Sequence, residues 1–152
     1  MKSLAVPALL CISMFSCQSA PPPKKAAFGP SNPQRTTVDG VAYYASVIEL
    51  IPEKEGLYRE LHADVWPEVV AAIEKANIRD YRIYRASLDG KTYLFSTFAY
   101  VGNDFETDMA SIGTDPTTRD RWWPITDACQ QRIPGTPDGE QWMGLEQLMR
   151  LP

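Results

Sequence analysis

Histidine is all but missing from this chain of 152 residues: His62 is the only one. A metal cage built from several imidazoles is therefore excluded. Acid–base chemistry by imidazole near neutral pH falls to a single ring. Basic residues are too few and too scattered to form a stripe, 15 Lys and Arg against 19 Asp and Glu. The phosphate-contact term that dominates nucleic-acid binding is thus absent, and no nucleic-acid partner is expected. No apolar run approaches the ~20 residues that a membrane-spanning helix needs. The sequence also lacks a Gly-rich phosphate loop, a Cys-x-x-Cys pair, a Gly-x-Ser-x-Gly turn and any internal repeat. Three cysteines, Cys11, Cys17 and Cys129, are too few and too oddly placed for a disulfide framework.

What is present at the front reads as an export signal. Lys2 supplies a positive start, and Leu4 to Phe15 form a short apolar stretch followed by small Ser16. Met14-Phe15-Ser16-Cys17 resembles a bacterial lipobox. That resemblance implies a signal peptide over residues 1–16, cleavage before Cys17, lipidation of Cys17 and tethering of the chain to the cell envelope. Gln18, which is not an inner-membrane retention Asp, favours the outer membrane. The other reading is a plain secretory peptide cut near Ala20. Residues 17–40 contain Pro21-Pro22-Pro23, Lys24-Lys25, Gly29-Pro30 and Asn32-Pro33, which predict a disordered, Pro-rich tether. Cys11 would leave with the signal and Cys17 would carry lipid. Cys129 then has no disulfide partner and is expected to be a small buried apolar residue.

Residues 41–152 are expected to form one α+β domain. Val41 to Ile51 reads as a strand closed by Pro52. Leu57, Leu61, Val65, Val69 and Ile73 recur every fourth residue, predicting a helix from Glu53 to Ala76 with a kink at Pro67. Ile78 to Leu88 and Lys91 to Tyr100 read as strands joined by Asp89-Gly90, a hairpin signal. Asn103 or Asp104 caps a short helix through Ile112. Pro116 starts another, to about Ile133, interrupted at Pro124. Pro134 to Gly139 reads as a loop, and Leu145 to Leu151 as a last strand or edge segment. The order is that of a ferredoxin-like split βαβ fold, with one antiparallel sheet and helices on one face. Tyr and Phe on the other face predict a homodimer with two sheets facing.

Helical spacing sets Tyr58 and His62 one turn apart on one face, with Trp66 a further turn along unless the kink swings it away. Tyr81, Trp122 and Trp123 add aromatic surface from other elements. Rings with apolar faces and polar tips suit a sugar. Tyr81 and Tyr84 are three apart in a strand, so at most one points into a given pocket. Asp64 and Glu68 read as a solvated helix face, and Arg119-Asp120-Arg121 as surface charge pairing.

Tyr58-x-x-x-His62-x-x-x-Trp66-Pro67-Glu68, Tyr81-x-Ile83-Tyr84, Arg121-Trp122-Trp123 and Leu145 to Pro152 occur in this order. As a set they resemble the L-rhamnose mutarotase family, from about Val41 to the end. The resemblance implies a dimeric α/β-barrel type of ferredoxin-like fold. It also implies interconversion of the α and β anomers of a 6-deoxy sugar such as L-rhamnose, without a cofactor or metal. His62 matches the family's catalytic histidine, described as a proton donor. Tyr58, Tyr81, Trp122 and Trp123 match its sugar-contacting residues. The chain departs from the pattern in its export signal, in Met149 where an aromatic is common, and in a long segment from Gly102 to Thr118. Two other readings stay open on the residues themselves: a membrane-tethered module that binds sugar without catalysis, and a dimeric α+β barrel oxygenase.

Overall fold

The computed structural model describes residues 38–151. The expected signal peptide, Cys17 and most of the tether lie outside the described residues. Val38 and Val41 bond each other across a turn at Asp39-Gly40, where both φ angles are positive. The domain follows at once with strand β1 (Ala42–Leu50). A 3₁₀ turn (Pro52–Lys54) leads into helix α1 (Glu55–Ala63) and then α2 (Pro67–Lys75). Strands β2 (Ile78–Leu88) and β3 (Lys91–Tyr100) come next, then α3 (Phe105–Ile112), a π-helical turn (Thr118–Trp122) and α4 (Trp123–Asp127). Two short strands close the sheet, β4 (Gln130–Gln131) and β5 (Met143–Gly144).

The sheet is antiparallel throughout, in the order β2-β3-β1-β4, with β5 also on β1. Alternation in β1 and β3 sends Tyr44, Ile48, Leu50, Leu94, Phe98 and Tyr100 to the buried side. There Tyr44 stacks on Phe98 and on Phe105 of α3, with centroids 5.1 and 4.3 Å apart. Ala76, Met109 and Ile112 complete this part of the core. A second cluster joins Ile48, Leu50, Leu94, Tyr58 of α1 and Cys129. Cys129 is fully buried and its thiol donates to the Ile125 carbonyl, in keeping with an apolar, structural residue. The α+β class, the single antiparallel sheet and the one-sided helices are those expected. The hairpin turn is also as expected, with φ of 49° at Asp89 and 77° at Gly90.

Three expectations need correction. The predicted helix over 53–76 is broken, not kinked. A residue before proline is driven to extended backbone, and Trp66 sits at φ −58°, ψ 135°, so α1 stops at Ala63 and Pro67 starts α2. The predicted helix from Pro116 to Ile133 starts at Pro116 as expected, but it widens into the π-helical turn at Thr118 and ends with α4 at Asp127, six residues short. The last strand is not Leu145 to Leu151. The edge beside β1 is shared by β4 and β5, which pair with Glu49-Leu50 and Ser46-Val47. Between them residues 132–142 leave the sheet, because Pro134 and Pro137 cannot donate to a ladder and Gly135 and Gly139 turn at positive φ. Residues 145–151 continue without strand pairing, along Tyr43, Ala45 and Thr97 on the open face of the sheet.

Candidate active site

Two features of the backbone aim the site's side chains. The first is the α1–α2 break, which carries Trp66 away from the line of Tyr58 and His62. Trp66 packs edge-on against Trp122 and lies under the Arg121 guanidinium, 4.7 Å from its centre. The second is a register shift between Arg79 and Arg82 in β2, where Asp80 takes a φ of 50°. Strict alternation would put Tyr81 on the face opposite Ile78. The bulge instead brings Tyr81 to the same side, edge-on to Phe98 at 5.9 Å. Tyr84, beyond the bulge, is half exposed on the open face, so only one of the two tyrosines enters the pocket.

These elements enclose a cavity of about 310 Å³, at the small end of the roughly 300–1,000 Å³ usual for small-molecule sites. Tyr58, His62, Tyr81, Trp122 and Trp123 all line it. The structure thus gathers every site residue of the domain expected from the sequence. Cys17 lies outside the described residues. Trp122 and Trp123 both reach the cavity because the chain passes from the wider π-helical turn to α4 between them. Trp123 is also wedged against Gly113, where an added Cβ would stand 3.3 Å from its ring. Glu55 holds α1 to β2 through Arg85, at 2.8 and 3.0 Å, which fixes the helix that carries Tyr58 and His62. Hydrogen bonds from Arg85 and Arg59 hold the Glu55 carboxyl below its usual range.

The His62 ring stacks on Tyr58, centroids 3.9 Å apart, and stands 5.2 Å from Trp122. Its Nδ1 lies 2.9 Å from the Tyr58 carbonyl oxygen. A carbonyl can only accept, so Nδ1 carries the hydrogen, and in the neutral ring Nε2 is the acceptor. Burial pushes the imidazole pKa down, partly offset by that hydrogen bond, which favours the neutral form. The phenols are moved the other way. Burial raises Tyr58 far above its ordinary range, with Tyr81 adding and the Gln130 side chain opposing. Burial also raises Tyr81, opposed by a hydrogen bond with Ser96. Both phenols are therefore neutral hydrogen-bonding groups at any physiological pH.

Several lining residues were not singled out from the sequence. Ser46 and Ser96 face each other on adjacent strands, Oγ to Oγ 2.6 Å, and form a polar patch in an otherwise apolar floor. Their signal was legible in principle: a small polar residue at the inward position of each strand. Thr118, Gln130, Glu140 and Trp142 also line the cavity, and only the tertiary fold brings them there. Among the described residues, two buried side-chain hydroxyls have no hydrogen-bond partner, Tyr58 Oη and Thr118 Oγ1, and both belong to this cavity's wall. Buried polar groups are nearly always satisfied, so two exceptions at one cavity mark it as a place for a polar ligand. Asp64 and Glu68 are exposed, and Arg119 pairs with Asp120 on the surface, as expected. Among the described residues, no three His, Cys, Asp or Glu side chains are grouped to hold a metal ion.

Known proteins point the same way. A protein of Burkholderia ambifaria named L-rhamnose mutarotase is 35% identical over 74 residues, covering 49% of this chain and 65% of its own length. One of Verminephrobacter eiseniae with the same name is 33% identical over 89 residues, 58% of this chain and 78% of that one. A crystal structure of an L-rhamnose mutarotase from Formosa agariphila superposes with a TM-score of 0.50 at 18% identity, over 72% of this chain and 98% of that one. That likeness speaks for the fold alone. The profile of the family described as L-rhamnose mutarotase matches residues 43–151, from the first strand to the penultimate residue. This chain belongs to the L-rhamnose mutarotase family, whose members are isomerases.

Proposed function

We propose that the protein interconverts the α and β anomers of a 6-deoxy aldose, L-rhamnose first among them, and that His62 moves the proton. The observation that carries this reading is the hydrogen bond from His62 Nδ1 to the Tyr58 carbonyl inside an aromatic-walled cavity. It fixes the tautomer and leaves Nε2 for the ligand. Nε2 takes the proton of the anomeric hydroxyl. The C1–O5 bond breaks with its electron pair on O5, and the imidazolium returns the proton to O5. The product is the open-chain aldehyde. Rotation about C1–C2 and reversal of the same steps closes the ring on the other face. His62 is then the proton donor to the ring oxygen, after first acting as acceptor. Tyr58 and Tyr81, neutral phenols, orient sugar hydroxyls, and the two indoles pack on the sugar's C–H faces and its C6 methyl.

Catalysis of this step asks little of the protein, since sugars already exchange anomers in water. One placed acid–base group contributes ~10²–10⁴-fold. Polarimetry on freshly dissolved L-rhamnose, L-fucose and L-lyxose tests the reading. Acceleration for at least one is expected. Binding without acceleration would reduce the protein to a sugar-binding module and overturn it. The family match lends no support to that module or to an oxygenase.

Two further parts of the reading concern assembly and place. The open face of the sheet keeps Tyr43 and Tyr84 exposed by 40% and 50%, and Leu148, Met149 and Leu151 beside it by 87%, 74% and 74%. Apolar exposure of this kind marks an interface, and a second copy of the chain, sheet to sheet, is the proposed occupant. Cys17 is the proposed lipidation site of an exported, envelope-anchored protein, resting on the signal in residues 1–17. Radiolabelled palmitate should enter the wild-type chain in bacteria and not Cys17→Ala; equal labelling of both would refute it.

A further inference from the structure

The buried side of the sheet carries its apolar core in two separate clusters. Tyr44, Phe98 and Tyr100 belong to one, and Ile48, Leu50 and Leu94 to the other. Strand alternation puts one inward residue between them on each central strand, Ser46 on β1 and Ser96 on β3. The two stand opposite each other in register and are each 3% exposed. Both line the cavity, so the cavity opens where the apolar core is interrupted. A pair of valines here would fill the gap and join the clusters, and valine is also favoured in strands. The serines give up that packing and leave room and polarity in its place.

Their hydroxyls are linked. Ser46 Oγ and Ser96 Oγ are 2.6 Å apart, and Ser96 is also hydrogen-bonded to Tyr81. Hydroxyls therefore run across three neighbouring strands, β1, β3 and β2. A hydroxyl donates once and accepts twice, so these bonds leave the serine pair with capacity for a ligand. Its hydrogens reorient by rotation about the C–O bond, so the pair can match a ligand hydroxyl that donates or one that accepts. The cavity lies between two layers. His62, Trp122 and Trp123 reach it from the helical segments, and Ser46 and Ser96 reach it from the sheet.

We propose that Ser46 and Ser96 are specificity-determining residues of this site: their hydroxyls bond one ring hydroxyl of the sugar from the sheet side, and their small size gives the pyranose its depth. The inference rests on the anomer-exchange reading, in which His62 works at C1 and O5 from the helix side. It narrows the substrate class to neutral aldoses that carry a hydroxyl at the one ring carbon facing the serines.

The test uses the full chain and follows anomer exchange by saturation-transfer NMR, with L-rhamnose and its 2-, 3- and 4-deoxy analogues. Ser46→Ala leaves Ser96 its bond with Tyr81 and so orphans no buried group. In this variant KM for L-rhamnose should rise about three- to tenfold, the range that a neutral hydrogen bond carries. Turnover at saturation should stay within about threefold, because proton transfer remains with His62. The wild type should disfavour one of the three analogues by a like factor, and Ser46→Ala should abolish that one preference and keep the others. A serine with only a structural role would weaken all four sugars alike, and unaltered preferences in Ser46→Ala would overturn the proposal while leaving the exchange activity standing. Ser46→Val, a second variant, fills the gap as well as removing the hydroxyl. It should hold or raise the thermal midpoint while KM rises at least about tenfold beyond that of Ser46→Ala. Equal kinetics in the two variants would mean that the sugar does not reach the serines, which also overturns the proposal. Absence of both rhamnose binding and exchange in the wild type would overturn the functional reading and this assignment with it.

Discussion

At the scale of single residues, burial does most of the chemical tuning. His62 is held toward its neutral form by the rings around it, and the Tyr58 carbonyl chooses its tautomer. The sign of the pH effect follows. The imidazole pKa is lowered in the folded chain, so below the ordinary value of about 6.5 the unfolded chain binds a proton that the native one does not. His62 then contributes stability above that pH, and the contribution is lost as pH falls through the folded value. Exchange activity should share the acid limb, with its midpoint below 6.5, and a kcat/KM profile by NMR would show it. A midpoint above 6.5 would contradict neutral His62 as the working form. Tyr58 offers a second test. Its hydroxyl is buried without a partner, so Tyr58→Phe should leave thermal stability unchanged or raise it by up to ~1 kcal/mol. The same change should weaken sugar binding several-fold. A loss of stability without a change in KM would make Tyr58 a structural residue only.

At the scale of elements, the site depends on places where regular structure is interrupted: the break at Pro67, the bulge at Asp80, the π-helical turn before Trp123 and the excursion after Gln131. Asp80 is the most exacting. Its φ of 50° suits Gly, Asn or Asp and penalises a β-branched residue. Asp80→Val should lower stability by about 1–2 kcal/mol and raise KM through a misaimed Tyr81, whereas Asp80→Gly should be tolerated in both. Denaturation and kinetics on the pair would separate backbone strain from loss of the Asp80–Arg82 ion pair, since both variants remove that pair. The interruptions also explain what could be read from the sequence. The long strands, the hairpin and the Tyr58–His62 helix followed from local period and turn residues. Pro67 announced a disturbance, though its full extent depends on Trp66 packing against Trp122. The bulge carried no local signal: Asp80 lies in an unremarkable run, and the shift appears only when β2 is set against β3. The final strand was misplaced because Met143-Gly144 has little strand character of its own, and only β1 gives it a partner.

At the scale of the whole molecule, the five site residues of the domain came from matching positions along the chain, and the fold brings them to one cavity. Glu140 and Thr118 could not be found this way, because each reaches the wall through contacts distant in sequence. The open sheet face raises the question of assembly. If a second copy covers it, Tyr84→Asp with Met149→Asp should convert a dimer to a monomer in sedimentation velocity, since a charge at each site opposes burial. A wild-type chain that sediments as a monomer at micromolar concentration would refute the dimer without touching the single-chain cavity. The central claim is that one imidazole in that cavity exchanges sugar anomers, and the most direct measurement is saturation transfer between the C1 protons of α- and β-L-rhamnose with wild type and His62→Ala. The account predicts fast exchange with the wild type and a fall of ~10²–10⁴-fold in the folded variant; exchange that survives the substitution unchanged would contradict it.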